Sequence, residues 1–308
     1  MDADPRAGNG PPDPRRRVAW AGALALVALG LVASYWNNFE DLVRTWWRDP
    51  DYSHGFLVPA VAVVIFFRRE AQRALRRHSA WQTAPGWALL GLTLLWRAHL
   101  REQGELWTET FTILPAALGL CWAAGGWPFF RRAWPAVAYL GFMLPLPARV
   151  VEELSLPLQR VATEASTQLL RLAGLWVIAE GNVITVGRQQ LEVATACNGL
   201  SMLMCLAATV CATVAVIPLA TWRRAVLVAS ILPIALGCNV LRITATAWCY
   251  RQFGPEVGGK YAHDAAGWLM MPAALVLVVL ELSWFSWLVV EPPTVPPAAG
   301  DTGRAYGT

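Results

Sequence analysis

Charged residues are scarce in this chain: they make up 15% of its 308 residues, whereas 56% are apolar. A soluble domain carries about 25% charged residues, so the composition excludes an ordinary soluble fold and indicates a protein whose solvent is lipid. Lysine is nearly absent, since Lys260 is the only one. The net charge of +4 comes from arginines in short clusters between apolar segments, a pattern that does not favour a nucleic-acid partner.

Motifs for cofactors and metals are also missing. The sequence contains no GxGxxG, P-loop or HExxH motif and no cluster of metal ligands, so we expect no cofactor and no metal. Its six cysteines form no CxxC pair, which argues against a disulfide framework and against a zinc knuckle. Most of them are expected to be small buried hydrophobic residues.

Long apolar runs are present instead, and they predict the architecture. A helix needs about 20 apolar residues to cross a hydrocarbon core of about 30 Å. The chain is therefore predicted to be an all-α, polytopic membrane helical bundle of about eight transmembrane helices, at 18–36, 54–67, 86–100, 106–124, 134–147, 198–218, 224–248 and 268–290. These form one transmembrane domain, 18–290. The polar segments 1–17 and 291–308 are predicted to be disordered cytoplasmic termini.

Arginine clusters predict the orientation, because positive charge is retained on the cytoplasmic side of a membrane. The clusters fall on alternate loops, at 15–17, 68–79, 131–132 and 223–224. With eight spans these loops are cytoplasmic, and the opposite loops face outward, at 37–53, 101–105, 148–197 and 249–267. We therefore expect a multi-pass protein of the cytoplasmic (inner) membrane.

The long outer segment 148–197 is predicted to contain two structured elements. Apolar residues recur at steps of three or four from Leu154 to Trp176, which predicts an amphipathic helix starting at Ser155 with Pro157 in its first turn. Residues 183–186 and 191–194 predict a short β-hairpin with a glycine-led turn. The helix could lie in the membrane interface. Two interpretations are open: the two elements only pack on the outer surface, or they also shape a substrate groove.

Three residues suited to catalysis lie at one depth of the predicted topology: Cys197, Arg242 and His263. A free cysteine has a pKa of about 8.5, so Cys197 needs the positive end of the following helix and a nearby guanidinium to ionise. Arg242 keeps its proton and is therefore suited to stabilising a thiolate or an oxyanion. His263 is suited to general acid–base catalysis.

Each of these residues also has a structural interpretation. An isolated membrane cysteine is usually a packing residue, an intramembrane arginine can extend to the interface, and a histidine beside Asp264 can be a solvated polar pair. The predicted convergence of the three on one face favours an active site.

Four further residues are accessory candidates. Asn198 follows Cys197, Asn239 lies one helical turn before Arg242, and Asp264 could orient His263. His54 is predicted at the outer end of the second span, where a structural hydrogen bond is favoured over assistance to the site or substrate binding.

Three motifs, in this order, resemble the exosortase/archaeosortase family: CysAsnGlyLeu at 197–200, AsnValLeuArg at 239–242, and HisAsp with GlyTrp at 263–268. The segment AspProAspTyrSerHisGlyPheLeuValPro at 49–59 resembles the N-terminal motif of that family. The resemblance implies a membrane cysteine transpeptidase with Cys197, Arg242 and His263 as its site. It also implies membrane-anchored substrate proteins with a C-terminal sorting signal, which consists of a Pro-Glu-Pro-type motif, a transmembrane helix and a basic tail.

Together, the residues and the resemblance predict a cysteine protease or transpeptidase at the outer face of the membrane. It would cleave through a thioester and transfer the product to an unknown amine or lipid acceptor. The expected partners are the lipid bilayer and the substrate proteins, with no nucleic acid. One alternative is a multi-pass transporter, although no internal repeat is evident. The other is a non-catalytic envelope-assembly protein, in which Arg242 and His263 would tolerate substitution.

Overall fold

The computed structural model describes residues 14–68, 80–186, 189–192, 199–256 and 262–288. Its α-helices are α1 (Pro14–Ser34), α2 (Trp36–Arg48), α3 (Val58–Arg68), α4 (Ala80–Glu102), α5 (Leu106–Phe111), α6 (Ile113–Tyr139), α7 (Ala148–Leu172), α8 (Leu200–Val216), α9 (Thr221–Glu256) and α10 (Ala262–Leu288). Two 3-10 helices occupy Pro50–Phe56 and Leu140–Met143. The strands are β1 (Val177–Glu180), β2 (Val183–Val186) and β3 (Gln189–Glu192).

The predicted all-α membrane bundle is confirmed, because within the described residues helix covers most of each predicted apolar run. The count of eight spans is not confirmed. By length and composition, three helical segments of the described residues can cross a membrane: Asp51–Arg68, Trp107–Met143 and Thr221–Gly254. The bent pair Trp20–Ser34 and Trp36–Arg48 would make a fourth, and Leu200–Val216 and Pro272–Phe285 are shorter apolar helices. The predicted termini stay predictions, since 1–13 and 289–308 lie outside the described residues.

Helix α6 folds back on itself at Gly125 and Gly126, whose backbone angles leave the helical region. A Cβ atom on Gly141 would lie 3.6 Å from Leu114 Cδ1, although a straight helix would separate these residues by about 40 Å. At the fold, the rings of Trp122 and Phe130 are 4.9 Å apart. The two antiparallel arms correspond to the separate runs predicted at 106–124 and 134–147.

The region 37–53, predicted as an outer loop, is instead largely helical. α2 leaves α1 at an angle of 56° and buries Asn38, Leu42 and Trp46, which are spaced four residues apart. Polar and charged residues interrupt the apolar ones along α2, so the segment lacks the long apolar run on which the prediction depended.

Helices α8, α9 and α10 form one antiparallel group. Their shared core includes Leu206 and Val210 of α8, Leu227 of α9 and Val278 of α10. At one end the rings of Trp222 and Phe285 are 5.3 Å apart. Both the N-terminus of α8 and the C-terminal half of α9 therefore lie toward the opposite end, as does the first turn of α10.

The predicted amphipathic helix and hairpin both exist, with corrected bounds. α7 starts at Ala148, not Ser155, because the chain enters it from Pro147 and tolerates Pro157 in its interior. The sheet has three antiparallel strands in the order β1-β2-β3. Val183 pairs with Glu192 and Val186 with Gln189, so the second strand of the predicted hairpin begins at Gln189 and not at 191, and the predicted positions 193 and 194 lie outside the described residues. Its turn, 187–188, lies outside the described residues.

Candidate active site

The predicted nucleophile, Cys197, comes three residues before the start of α8 in the sequence. Cys197 and Asn198 lie outside the described residues, but Gly199 is described and precedes α8 with φ +74°. A Cβ atom at Gly199 would lie 3.0 Å from Asn239 Nδ2. The residue two positions after Cys197 is therefore in close contact with the amide side chain of Asn239, which is itself buried.

Arg242 lies one turn further along α9 than Asn239, as the helical spacing predicted. It is half-buried. α9 continues to Glu256 with a break at Gly254, so Arg242 lies about three turns before that break, deeper in the helix than the predicted end at 248 implied. Asn239, one turn before Arg242, contacts Gly199 directly before α8. Unpaired backbone N–H groups give the N-terminus of a helix a positive potential.

His263 and Asp264 lie in the first turn of α10, which starts six residues earlier than the predicted span. They therefore belong to a helix and not to the preceding loop; their side chains lie outside the described residues. The contact of Ser230 with Glu281 (2.7 Å between Oγ and Oε2) fixes the antiparallel register of α9 and α10. Counted from this contact, His263 lies about 9 Å further along the bundle axis than Arg242.

The predicted amphipathic helix and the sheet both pack on the part of α9 that carries Arg242. Val240, Ile243 and Ala247 of α9 share one apolar cluster with Ala162 and Leu170 of α7, and this cluster also includes Val177, Ile184 and Val186 of the sheet. In addition, Ser166 Oγ donates a hydrogen bond to the Val240 carbonyl (3.2 Å). Asn182 of the β1–β2 turn donates to Gln159 of α7 (2.6 Å). α7 and the sheet thus form one wall beside Asn239 and Arg242.

His54 has a partner of its own within the segment 49–59. It lies in the 3-10 helix Pro50–Phe56 and its Nε2–H donates to the Phe142 carbonyl (3.1 Å). Trp46 Nε1–H donates to the next carbonyl, that of Met143 (2.9 Å), and Gly55 lies so close to the Trp46 indole that a Cβ atom would overlap it. These contacts hold the chain that leads from α6 into α7, and the role of His54 stays a prediction.

A buried charge pair escaped the sequence analysis. Arg97 and Glu109 are almost fully buried, and Arg97 Nε donates to Glu109 Oε1 (2.9 Å). The same guanidinium donates to the Ser34 carbonyl (2.6 Å) and to Asn38 Oδ1 (3.2 Å), and it lies over the ring of Tyr35. The available signal was a charged residue inside each of the apolar runs 86–100 and 106–124, since such residues rarely face lipid.

Next to this pair a cavity of about 650 Å³ opens between α2 and α5, and the lining includes Asp41, Arg44, Arg48, Arg101 and Trp107. Arg242, the one predicted catalytic residue whose side chain is described, does not line it. In the part of the chain that the structure describes, no three His, Cys, Asp or Glu side chains are grouped to hold a metal ion.

Comparison with family models gives a match to the transmembrane exosortase family over residues 46–280. No curated protein matches the chain, and no solved structure matches it. The matched range contains every predicted site residue, and it includes the segment from 49 to 59, α7 and the sheet, and all three motifs that suggested the resemblance. The chain belongs to the transmembrane exosortase family.

Proposed function

We propose that this protein is a membrane cysteine transpeptidase or protease in which Cys197 is the nucleophile, Arg242 stabilises negative charge and His263 transfers protons. Family membership supports the general role of a membrane transpeptidase or protease. The substrates are membrane-anchored proteins with a C-terminal sorting signal, and the reaction takes place at the outer face of the cytoplasmic membrane.

The observation that carries the proposal is the close approach of Gly199 to Asn239. It ties the chain that follows Cys197 to the helix that carries Arg242, across 40 residues of sequence between Gly199 and Asn239. A cysteine just before α8 gains from the partial positive charge of the helix N-terminus. A fixed guanidinium one turn from Asn239 favours the thiolate further, because opposite charges stabilise the ionised form.

The first half of the proposed reaction forms a thioester. The Cys197 thiolate attacks the carbonyl carbon of the scissile peptide bond, and Arg242 stabilises the resulting oxyanion. The C–N bond then breaks, and the leaving amine takes a proton from the His263 imidazolium.

The second half releases the product. An amine or hydroxyl acceptor, or water, attacks the thioester carbonyl and gives its proton to His263. The C–S bond breaks and the thiolate of Cys197 is restored. The acceptor decides whether the reaction is a transfer or a hydrolysis.

The test is co-expression with a reporter that ends in a Pro-Glu-Pro motif, an apolar helix and a basic tail. Cys197→Ala and Cys197→Ser should abolish processing of the reporter, as seen by its mass on gels, while the enzyme remains in the membrane fraction. Cys205→Ala, a half-buried cysteine of α8, and Cys249→Ala are matched controls that should leave processing intact. Processing that persists in both Cys197 variants would remove this residue from the mechanism.

Arg242 and His263 are tested in the same assay. Arg242→Gln should lower the processing rate by about 100-fold or more, the range for losing one oxyanion donor. Arg242→Lys should retain more activity than Arg242→Gln because it keeps the charge. Full processing by Arg242→Gln and His263→Ala would instead favour a non-catalytic assembly protein.

A further inference from the structure

The cavity of about 650 Å³ between α2 and α5, called the α2–α5 cavity below, has a charged lining. Three guanidinium groups and three carboxylates line it, from Asp41, Arg44, Arg48, Asp49, Arg101 and Glu109. The two signs therefore cancel in number, and a ligand meets groups of both. Pockets for whole small molecules have volumes of about 300–1,000 Å³, so this cavity is larger than an isolated inorganic ion requires.

The buried part of the lining is a fixed polar network. Asn38, Glu109 and Thr110 are all buried. Arg97 donates to Glu109 and to Asn38, and Asn38 Nδ2 donates to Thr110 Oγ1 (3.0 Å). Since these groups already bond to one another, they give the cavity a fixed floor. Recognition of a ligand falls to the more exposed side chains around it.

Two of the three lining arginines keep unused hydrogen-bond donors. Arg44 is paired with two carboxylates of its own helix, at 3.3 Å each. The Arg48 guanidinium, by contrast, has no partner among the residues that the structure describes. Arg101 approaches Glu109 only to 3.8 Å, beyond hydrogen-bond distance, and 52% of its side chain is exposed. Guanidinium groups in this state suit phosphate oxygens, which they bind in a bidentate geometry.

Carboxylate oxygens are available in the same lining. Asp49 uses one oxygen to accept the backbone N–H of Asp51 (3.0 Å), and Asp41 uses one oxygen to contact Arg44. A carboxylate has two oxygens and about four acceptor positions. Each of these two side chains can therefore also accept a hydrogen bond from an ammonium group.

Exposed tryptophans lie on both elements that form the cavity. Trp107 of α5 lines it, and Trp36 and Trp47 lie on α2; all three are largely exposed. Tryptophan is enriched at the level of the lipid headgroups, where its ring is in apolar surroundings and its N–H is in polar ones. Exposed tryptophans among charged residues thus place the α2–α5 cavity at headgroup depth, where the most abundant ligand is lipid.

We propose that the α2–α5 cavity binds the headgroup of a phospholipid that carries both a phosphate and a primary ammonium group, as phosphatidylethanolamine does. Arg48 and Arg101 donate to the phosphate oxygens, and Asp41 and Asp49 accept from the ammonium group. A lining with equal numbers of both charges suits a headgroup whose own charges cancel, because each charge then faces one of opposite sign. The inference does not depend on the proposed catalysis, since Arg242 does not line the cavity.

The experiment measures lipid binding to the full-length protein, purified in a nonionic detergent and washed free of native lipid. A ligand that binds the folded state raises the thermal midpoint, so the midpoint is followed as phosphatidylethanolamine, phosphatidylcholine or phosphatidylglycerol is added to the micelles. Inorganic phosphate without lipid is the fourth ligand.

Phosphatidylethanolamine should reach half of its effect at a mole fraction at least about tenfold lower than the other two lipids, the effect of one charge-assisted hydrogen bond. The methylated ammonium group of phosphatidylcholine has no N–H donor, and phosphatidylglycerol has no ammonium group. Inorganic phosphate should leave the midpoint unchanged. Equal responses to the three lipids overturn the proposal, and so does a response to phosphate alone that equals the response to phosphatidylethanolamine.

Variants test the two arginines. Arg48→Gln with Arg101→Gln should raise the mole fraction of phosphatidylethanolamine needed for half of the effect by at least about tenfold, since both phosphate contacts are lost. Arg131→Gln with Arg132→Gln is the matched control. It removes the same charge from two exposed arginines of α6 that do not line the cavity, and it should respond as the parent does. Parent-like binding by the first pair, or an equal loss in the control pair, overturns the proposal.

Arg48→Gln alone separates a loss of binding from a loss of folding. Its guanidinium has no partner in the described part of the chain, so the midpoint without lipid should stay that of the parent. Binding of phosphatidylethanolamine should still weaken several-fold. Full binding by this variant, or a lower midpoint in the absence of lipid, would contradict the assignment of Arg48 to the headgroup.

Discussion

Gly199 is subject to two independent constraints at the residue scale. Its φ of +74° lies in the left-handed region, which is costly for any residue with a Cβ atom. Its Cα also faces the Asn239 amide so closely that a methyl group would lie 3.0 Å from Nδ2. A side chain at this position would disturb both the backbone that follows Cys197 and the amide that contacts it.

We therefore expect Gly199→Ala to cut reporter processing by at least about tenfold, since the strain of about 1–2 kcal/mol falls on the nucleophile segment. The matched control is Gly237→Ala in α9, because no atom lies within 4 Å of its Cβ position. Processing should survive that change. Equal activity of the two variants would show that a side chain at position 199 does not affect the reactivity of Cys197.

The Arg97–Glu109 pair predicts a stability effect. Arg97→Leu leaves the buried Glu109 carboxylate without its main partner, which should lower the free energy of unfolding by about 3–5 kcal/mol. The double variant Arg97→Leu, Glu109→Leu should be more stable than Arg97→Leu alone, because it leaves no buried charge. Thermal unfolding in detergent micelles measures the stability of the single and the double variant.

Arg44→Ala is the matched control for the buried pair. Arg44 contacts Glu40 and Asp41 at the surface, with 61% of its side chain exposed, so its loss should cost less than about 1 kcal/mol. If Arg44→Ala and Arg97→Leu lower the unfolding temperature equally, burial does not determine the strength of these pairs.

At the same scale, sequence patterns could identify only residues with distinctive chemistry or spacing. Asn239 was recognised from its spacing to Arg242, and its contact with Gly199 agrees with a role near that site. The roles of Cys197, Arg242 and His263 stay predictions.

At the scale of elements, two glycines allow α4 and α6 to approach closely. A Cβ atom on Gly86 would overlap the backbone of Ala123, and one on Gly119 would lie 2.8 Å from the Leu90 nitrogen. Small residues at such contacts are typical of membrane helix pairs, since they permit close packing of backbones.

Gly86→Ala should therefore separate the two helices and lower the unfolding free energy by about 1–3 kcal/mol, the usual effect of overpacking. Gly91→Ala in the same helix is the control, since nothing lies within 4 Å of its Cβ position. It should be neutral or stabilising by up to about 1 kcal/mol, because alanine favours helix over glycine. The reverse order of stability would contradict this helix contact.

The errors in predicting these elements from sequence have one physical cause. Apolar runs located the other helices well, but in α2 polar and charged residues interrupt the apolar ones, so no apolar run marks it. In α7 the regular apolar stripe is exposed and a polar stripe is buried. Lipid solvates apolar side chains as well as a core does, so in a membrane the periodicity gives the helix but not the face that packs.

At the scale of the whole molecule, α6 shows how a count of spans can go wrong. The segment Trp107–Met143 passes as one long apolar helix by length and composition. The contact between Leu114 and Gly141 shows that it is two antiparallel arms joined at Gly125 and Gly126. The predicted break between 124 and 134 agrees with this, although the total of eight spans stays a prediction.

The shortness of α8 affects the surrounding bilayer. Its 17 residues extend about 26 Å, less than the hydrocarbon core of about 30 Å. A helix of this length fits best into a bilayer that is thinner than average. Reporter processing should then be faster in vesicles of short-chain than of long-chain phosphatidylcholine, and equal rates in both would contradict this. Membrane thickness would thereby set how near to its own membrane anchor a substrate is cut.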